Sequence, residues 1–334
     1  MSSAEHPAAG PGDGGPRRRP PRAAAEVARW RRLLLAAPEV GGRLRRLTPL
    51  AVGGAWSGAM LYAGVWSAGA ADGGAERPVV AKVAAGTREV CCTSALAVQA
   101  PDLIPTLYAS GRHLGGEALP WMVAERCPYR LDYAWGDALF ETLLDAGARF
   151  HLAGRALAPA VGPGDVPLAA HHRLIRAGAG GPPPAPGPGA EVVARLEADA
   201  AWALGACRVE LCHGDLHPGN AVWRVPPPDP ASRALLIDFA PAASPWVAEP
   251  AYCQVLYWPV ASRPGETGLV QRMAARRAAY GLEVPPPAAL DRLATLYLAW
   301  NALRLWPLLT HRHGDPAYVA ATRGWIAAAA ALPR

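Results

Sequence analysis

Lysine is almost missing from this chain. Of its 33 basic residues, 32 are Arg and one, Lys82, is Lys. Asn occurs only at 220 and 301, and Phe only three times. Ala, Gly, Pro and Arg are abundant instead, a bias that resembles GC-rich coding, so scarcity alone says little about function. It does direct attention to where the scarce residues fall. No apolar run reaches the ~18 residues that a membrane span needs, and the apolar core of "RRLLLAAPEV" (31–40) is shorter than a signal peptide's. The six Cys form no C-x-x-C pair, and adjacent Cys91 and Cys92 are poorly placed for a disulfide, so reduced thiols in a cytoplasmic protein are expected. Nucleic acid is not an expected partner. The net charge of +6 is an effect of the two ends, with ten Arg among residues 1–46 and nine among 250–334, and no basic patch interleaves with aromatics.

What is present is organised. Residues 1–28 are mostly Gly, Pro, Ala and Arg and read as a disordered tail, although "AEVARWRRLLL" could form a short amphipathic helix. From Leu47 the pattern is strand-like: "LTPLAV", "AMLYAGVWSA" and "RPVVAKVA" read as three antiparallel strands, with "GGAWSG" (53–58) as a Gly-rich loop between the first two. "TREVCCTSALAVQA" reads as a helix ended by Pro101, and "TLYASGR" and "LPWMVAERC" add two strands. Beyond Pro128 helical spacing dominates, as in residues 137–157, interrupted by a Pro/Gly-rich insertion at 177–190.

The chemistry concentrates in "HGDLHPGN" (213–220), which holds one of the two Asn residues, and in Asp238 of "LLIDFA", eighteen residues further on. Asp215 can accept a proton from a hydroxyl. Asn220 and Asp238 can offer oxygens to Mg²⁺, a hard cation that takes few protein ligands together with phosphate oxygens. Lys82 then has a reading: nucleotide phosphates call for a compact cation on a flexible stem, where a planar guanidinium fits badly. A buried ammonium needs an anionic partner, for which Glu89 is the nearest candidate. Gly54, Ser57 and Gly58 of the Gly-rich loop can approach phosphates through backbone N–H groups and a hydroxyl. Gly-rich loop, strand lysine, helix glutamate, aspartate, asparagine and second aspartate follow the order of phosphoryl-transfer enzymes of the protein-kinase type.

"HGDLHPGN" followed by "IDF" resembles the aminoglycoside phosphotransferase and choline kinase-like family, over roughly residues 47–260. "ARFHLAG" (148–154) resembles that family's helix before the catalytic loop. The resemblance implies an α+β, bilobal protein-kinase-like fold. A small antiparallel-sheet N-lobe with one helix (29–123) would be joined by a hinge (124–128) to a larger, mainly helical C-lobe (129–334). That C-lobe would hold a catalytic loop at 211–224 and a metal-binding segment at 235–240. The resemblance further implies ATP and Mg²⁺ as cofactors, with Asp215 as catalytic base or hydroxyl-orienting residue. Asn220 and Asp238 would be metal ligands, Lys82 the phosphate-binding lysine, and the backbone around Glu125 and Cys127 the adenine contact. His213 and His217 read as structural. Two departures stand out: Ala240-Pro241 replaces an expected Gly, and Glu249 precedes Pro250 with no Asp following it.

The function expected is phosphoryl transfer from ATP to a hydroxyl of a small molecule. The Arg-rich C-terminal segment favours a neutral or anionic acceptor over a polycation. Two other readings stay open: a zinc metallohydrolase using His213, Asp215 and His217, and a nucleotide-binding regulator without turnover.

Overall fold

In the computed structural model the described residues are 24–50, 59–67, 74–161, 202, 205–261 and 267–333. The Gly-rich loop with Gly54, Ser57 and Gly58 and the insertion at 177–190 lie outside them.

The small lobe is one antiparallel sheet of five strands in the order β1-β2-β3-β5-β4. The strands are β1 (Leu44–Pro49), β2 (Met60–Ser67), β3 (Glu76–Val83), β4 (Leu107–Gly111) and β5 (Trp121–Glu125). Period-two alternation decides what β3 presents to each side. Val79, Ala81 and Val83 are fully buried in a cluster with Trp30, Leu34, Tyr62 and Trp121, which seals one face of the sheet. Lys82 points to the other face and pairs in register with Leu61 on β2 and Met122 on β5. Helix α1 (Ala24–Ala36) supplies Trp30 and Leu34, one turn apart, as the lid of that sealed face. The helix starts at Ala24, so residues 24–28 belong to it and not to the tail that composition suggests. Helix α2 (Thr87–Gln99) packs on the cleft side and brings Glu89 beneath β3.

The large lobe is built on α3 (Asp137–Val161), whose buried Leu139, Phe140, Leu143, Leu144 and Phe150 face a core shared with two short ladders. One pairs β6 (Val209–Cys212) with β9 (Ala242–Pro245), the other β7 (Ala221–Trp223) with β8 (Ala234–Leu236). Helices α4 (Ala248–Leu256), α5 (Leu269–Ala279), α6 (Pro287–Leu305) and α7 (Pro316–Ala330) complete the lobe. All six cysteines are free. Among the described residues no helix is long and apolar enough to cross a membrane.

One fully buried cation ties the large lobe together. Arg277 of α5 donates to both oxygens of Glu210 on β6 (2.7 and 3.2 Å), to His151 Nδ1 on α3 (3.0 Å) and to the Glu283 carbonyl (3.0 Å), and it stacks on Trp246. Its neighbour Arg276 pairs with Glu141 at the surface. Removing one member of a buried pair strands the other, whereas an exposed pair contributes little. Arg277→Ala should therefore destabilise the protein by about 3–5 kcal/mol, and Arg276→Ala by no more than about 1 kcal/mol, as read from urea unfolding. Equal losses would show that the buried pairing has no special weight.

Candidate active site

Between the lobes lies a solvent-open cleft. Its walls are apolar, with Leu61, Val80, Met122 and Ala124 above and Val222, Leu236 and Ile237 below. Its polar end holds Lys82, Glu89 and Asp238.

Lys82 Nζ lies 2.6 Å from Glu89 Oε1 and 2.6 Å from Asp238 Oδ1. Burial lowers the pKa of this ammonium, but the charges of Glu89 and Asp238 more than restore it, to above its ordinary value. The same burial raises Glu89, against the pull of Lys82. Glu89 sits on the first turn of α2 and also accepts from the Gly86 N–H (3.4 Å), which fixes its carboxylate under the strand. Asp238 follows β8 with φ +57, a left-handed backbone that is unusual for a residue with a side chain and recurs at functional sites. That conformation leaves the Asp238 carboxylate half exposed toward the cleft while Phe239 turns inward against Phe150 and His213.

The loop 213–220 is clamped to the Asp238 segment. Ala240 N–H donates to the His213 carbonyl (2.9 Å) and Ile237 N–H to the Asn220 carbonyl (3.0 Å). Gly214 has φ +83, and a Cβ there would fall 1.8 Å from the Ala240 carbonyl oxygen, so glycine is required. The Ala240-Pro241 departure thus leaves the close approach of the two segments intact. Asp215 N–H donates to His213 Nδ1 (3.3 Å), so His213 Nε2 carries the proton given to the Ile237 carbonyl (3.0 Å). Burial keeps the His213 pKa low, and the neutral ring is a strut between the two segments.

Asp215 is surrounded by donors. Tyr252 O–H donates to Oδ1 (2.8 Å), Asn220 Nδ2 donates to Oδ2 (2.9 Å) and to the Asp215 carbonyl (3.0 Å), and His217 Nε2 lies 3.5 Å from Oδ1. Burial pushes this carboxyl up, but the hydrogen bond and charge of His217, the Tyr252 hydroxyl and His213 outweigh it and bring the pKa to about 2. Burial and the adjacent carboxylate push Tyr252 up, so its hydroxyl stays a donor. With Nδ2 turned toward Asp215, the Asn220 Oδ1 accepts no hydrogen bond among the described residues. His217 is anchored at Nδ1 by the Gly219 N–H (3.0 Å) and the Tyr257 hydroxyl (3.2 Å).

The hinge differs from its sequence reading in one respect. Glu125 N–H is already donated to the Thr106 carbonyl (2.8 Å) and Arg126 N–H to Pro78 (3.0 Å), so neither is open to a base. The Glu125 side chain is held by Arg224 (2.5 Å) and Thr106, which brings its pKa to about 2. Cys127 lines the cleft and its N–H has no backbone acceptor among the described residues.

Two residues that the motif did not single out as site residues support the loop. Glu249 accepts from Gly214 N–H through Oε1 (2.7 Å) and from His151 Nε2 through Oε2 (2.8 Å), which continues the buried chain from Arg277 to the loop. Glu249 and Tyr252 lie three residues apart on α4, so one helical face reaches both Gly214 and Asp215. The zinc reading is not supported: both ring nitrogens of His213 are bonded to backbone, so the H-x-D-x-H set does not converge. A different trio, His151, Cys212 and Glu249, does gather, but it is buried and internally hydrogen-bonded.

A family model described as "Phosphotransferase enzyme family" matches residues 93–265. No curated protein sequence matches the chain. Among solved structures the chain is similar to an amicoumacin kinase in complex with AMP-PNP, Ca²⁺ and Ami, with 15% identity, a TM-score of 0.55 and coverage of 92% of this chain and 96% of that one. It is also similar to a choline/ethanolamine kinase family protein from Mesorhizobium loti, with 17% identity, a TM-score of 0.52 and coverage of 90% and 92%. A thermostable mutant of an aminoglycoside phosphotransferase, APH(4)-Ia, gives 16%, 0.52, 90% and 99%. At these identities the likeness shows the fold, which is protein-kinase-like.

The Asp215 environment makes a pH prediction. A carboxyl at about 2 in the folded chain, against an ordinary 3.8, favours folding above pH ~4, and that contribution is lost as pH falls through its folded value. Tyr252→Phe should raise the Asp215 pKa and shrink this acid sensitivity, as measured by carboxyl-carbon NMR titration. An unmoved titration would show that the Tyr252 bond does not stabilise the anion.

Proposed function

The chain belongs to the phosphotransferase enzyme family, and from that premise we propose that it transfers the γ-phosphoryl group of ATP, with Mg²⁺, to a hydroxyl of a small molecule. The observation that carries this reading is the buried Lys82 ammonium, 2.6 Å from Asp238 across the cleft, with Asp215 and Asn220 on the loop clamped beside it. The apolar slot between Val80 and Leu236 suits a purine, and Cys127 N–H is the hinge donor open to it. Lys82 would hold the phosphates, with Glu89 fixing its position.

The donor set fits a hard cation. Asn220 Oδ1 and the half-exposed Asp238 carboxylate are oxygen ligands of the kind Mg²⁺ takes alongside phosphate oxygens. Asn220 and Asp238 would hold the ion, which when bound supplies charge neutralisation at the phosphate oxygens. Asp215 would accept a hydrogen bond from the acceptor hydroxyl and aim its oxygen at the γ-phosphorus. The new P–O bond forms to that oxygen, the bond to the β-phosphate oxygen breaks, and the hydroxyl proton leaves by way of Asp215. A carboxyl near 2 is a weak base at neutral pH, so its work is orientation first and proton acceptance late. The rest is positioning and electrostatics.

ATP consumption over a panel of hydroxylated antibiotics, sugars and amino alcohols tests the reading. Asp215→Ala should lower kcat by about 10²–10⁴-fold while ATP affinity is kept. Lys82→Arg should lose most activity although its charge is unchanged. A Lys82→Arg variant with the normal rate would contradict the role given to the ammonium. ATP binding with no panel member consumed, and a biological effect that survives Asp215→Ala, would favour the regulator instead.

A further inference from the structure

A run of aromatic rings leads outward from the aspartate that would orient the acceptor. The Asp215 side chain is 39% exposed, and His217 Nε2 lies 3.5 Å from its Oδ1. The His217 ring lies 5.6 Å, centre to centre, from that of Tyr257 at an angle of 33°, and the Tyr257 ring lies 6.3 Å from that of Tyr133. Each ring is one contact from the next, and the last, Tyr133, is 49% exposed. Its place is fixed from below. Tyr133 opens the one-turn segment Tyr133–Trp135 just past the hinge, capped by Asp132, whose Oδ1 accepts the Ala134 N–H (2.9 Å). Trp135 meets the fully buried Trp223 edge-on at 5.1 Å, which anchors the turn to the large-lobe core. The Tyr257 hydroxyl is spent on the loop: it bonds His217 Nδ1 (3.2 Å), and the Gly219 N–H donates to both. What the ledge of Tyr257 and Tyr133 chiefly offers a visitor is ring face.

We propose that Tyr133 and Tyr257 are a docking surface for the acceptor, and that the acceptor is a hydroxylated molecule with an uncharged ring, aromatic or sugar, whose flat face lies on these tyrosines while its hydroxyl meets Asp215. This rests on the phosphotransferase reading and deepens it. An aromatic face holds another flat apolar face through offset contact that needs no hydrogen bond. A ring held on a rigid turn is favourable to dock against, because no side chain has to be ordered first. An acyclic polyol of the same size would bring no face to the ledge. A cationic acceptor can also sit over a ring, but gains little on one that is half open to water. Tyr133 is thereby a specificity-determining residue, acting on the part of the acceptor that does not react.

The test measures ATP consumption by the full chain with four panels of alcohols of similar size: aromatic alcohols, cyclic sugars, acyclic polyols and quaternary amino alcohols. Turnover should concentrate in the aromatic or the sugar panel, and which of the two identifies the ring. For the best acceptor, Tyr133→Ala should raise KM by about 3- to 10-fold, far more than it lowers kcat. Tyr133→Phe should keep the KM of the unaltered chain, because the ring and not the hydroxyl is used. In Tyr133→Ala the ring-bearing acceptor should also lose its KM advantage over an acyclic analogue with the same reacting hydroxyl, a non-additivity that a merely structural tyrosine would not produce. The thermal shift given by ATP with Mg²⁺ should be the same in Tyr133→Ala as in the unaltered chain, which separates lost docking from misfolding. Turnover centred on acyclic polyols or amino alcohols, an unchanged KM in Tyr133→Ala, a loss in Tyr133→Phe as large as in Tyr133→Ala, an ATP-dependent shift that disappears in Tyr133→Ala, or such a shift in the unaltered chain with no panel consumed would each overturn the proposal while leaving the phosphotransferase reading in place. Absence of any ATP-dependent shift in the unaltered chain would bring down both.

Discussion

The ammonium of Lys82, held between Glu89 and Asp238, is the contact on which the rest of the arrangement depends. It joins the central strand of the small lobe, that lobe's helix and the end of β8 in the large lobe at one point. A charge this deep is tolerated only when it is paired, so each carboxylate must be delivered to within hydrogen-bond distance. Glu89 is delivered by the first turn of α2, Asp238 by a left-handed backbone after β8. The compact ammonium sits 2.6 Å from each of the two carboxylates, a confined position that a planar guanidinium fits badly. In a chain that writes Arg at every other basic position, this is a local steric and electrostatic reason for the exception.

The loop that carries Asp215 is rigid for a second reason. Its glycine fits under the Ala240 carbonyl, and the Gly214 N–H is tied through Glu249 and His151 to the fully buried Arg277. Loop geometry is thereby coupled to the packing of α3, α4 and α5. Asp215 is kept ionised by its donors against the cost of burial.

Much of this was legible because motif chemistry and strand alternation are local. "HGDLHPGN", "LLIDFA" and the lone lysine of "RPVVAKVA" each constrain a few consecutive residues, and the five strands and their connecting helix follow from period-two patterns and turn residues. What was not legible depends on contacts between distant segments. Glu249 reads only as a departure, because its partner Gly214 lies 35 residues away. Arg277 is hidden by composition, since nothing local distinguishes a buried Arg from 31 others. The hinge was read from its strand end, yet the Glu125 N–H is taken by the Thr106 carbonyl and the Arg126 N–H by Pro78, 48 residues earlier. Helix α1 was read as amphipathic, but not as the cover of the sheet, because its partner face is built from residues of all five strands.

The central claim is that Lys82 and Asp238 act on the same magnesium-bound triphosphate. A double-mutant cycle of Lys82→Met and Asp238→Asn, read as the affinity for a non-hydrolysable ATP analogue with Mg²⁺, tests it most directly. Convergence on one ligand predicts non-additive losses with a coupling of about 1–3 kcal/mol. Losses that simply add would mean that the two groups act independently and would contradict the account.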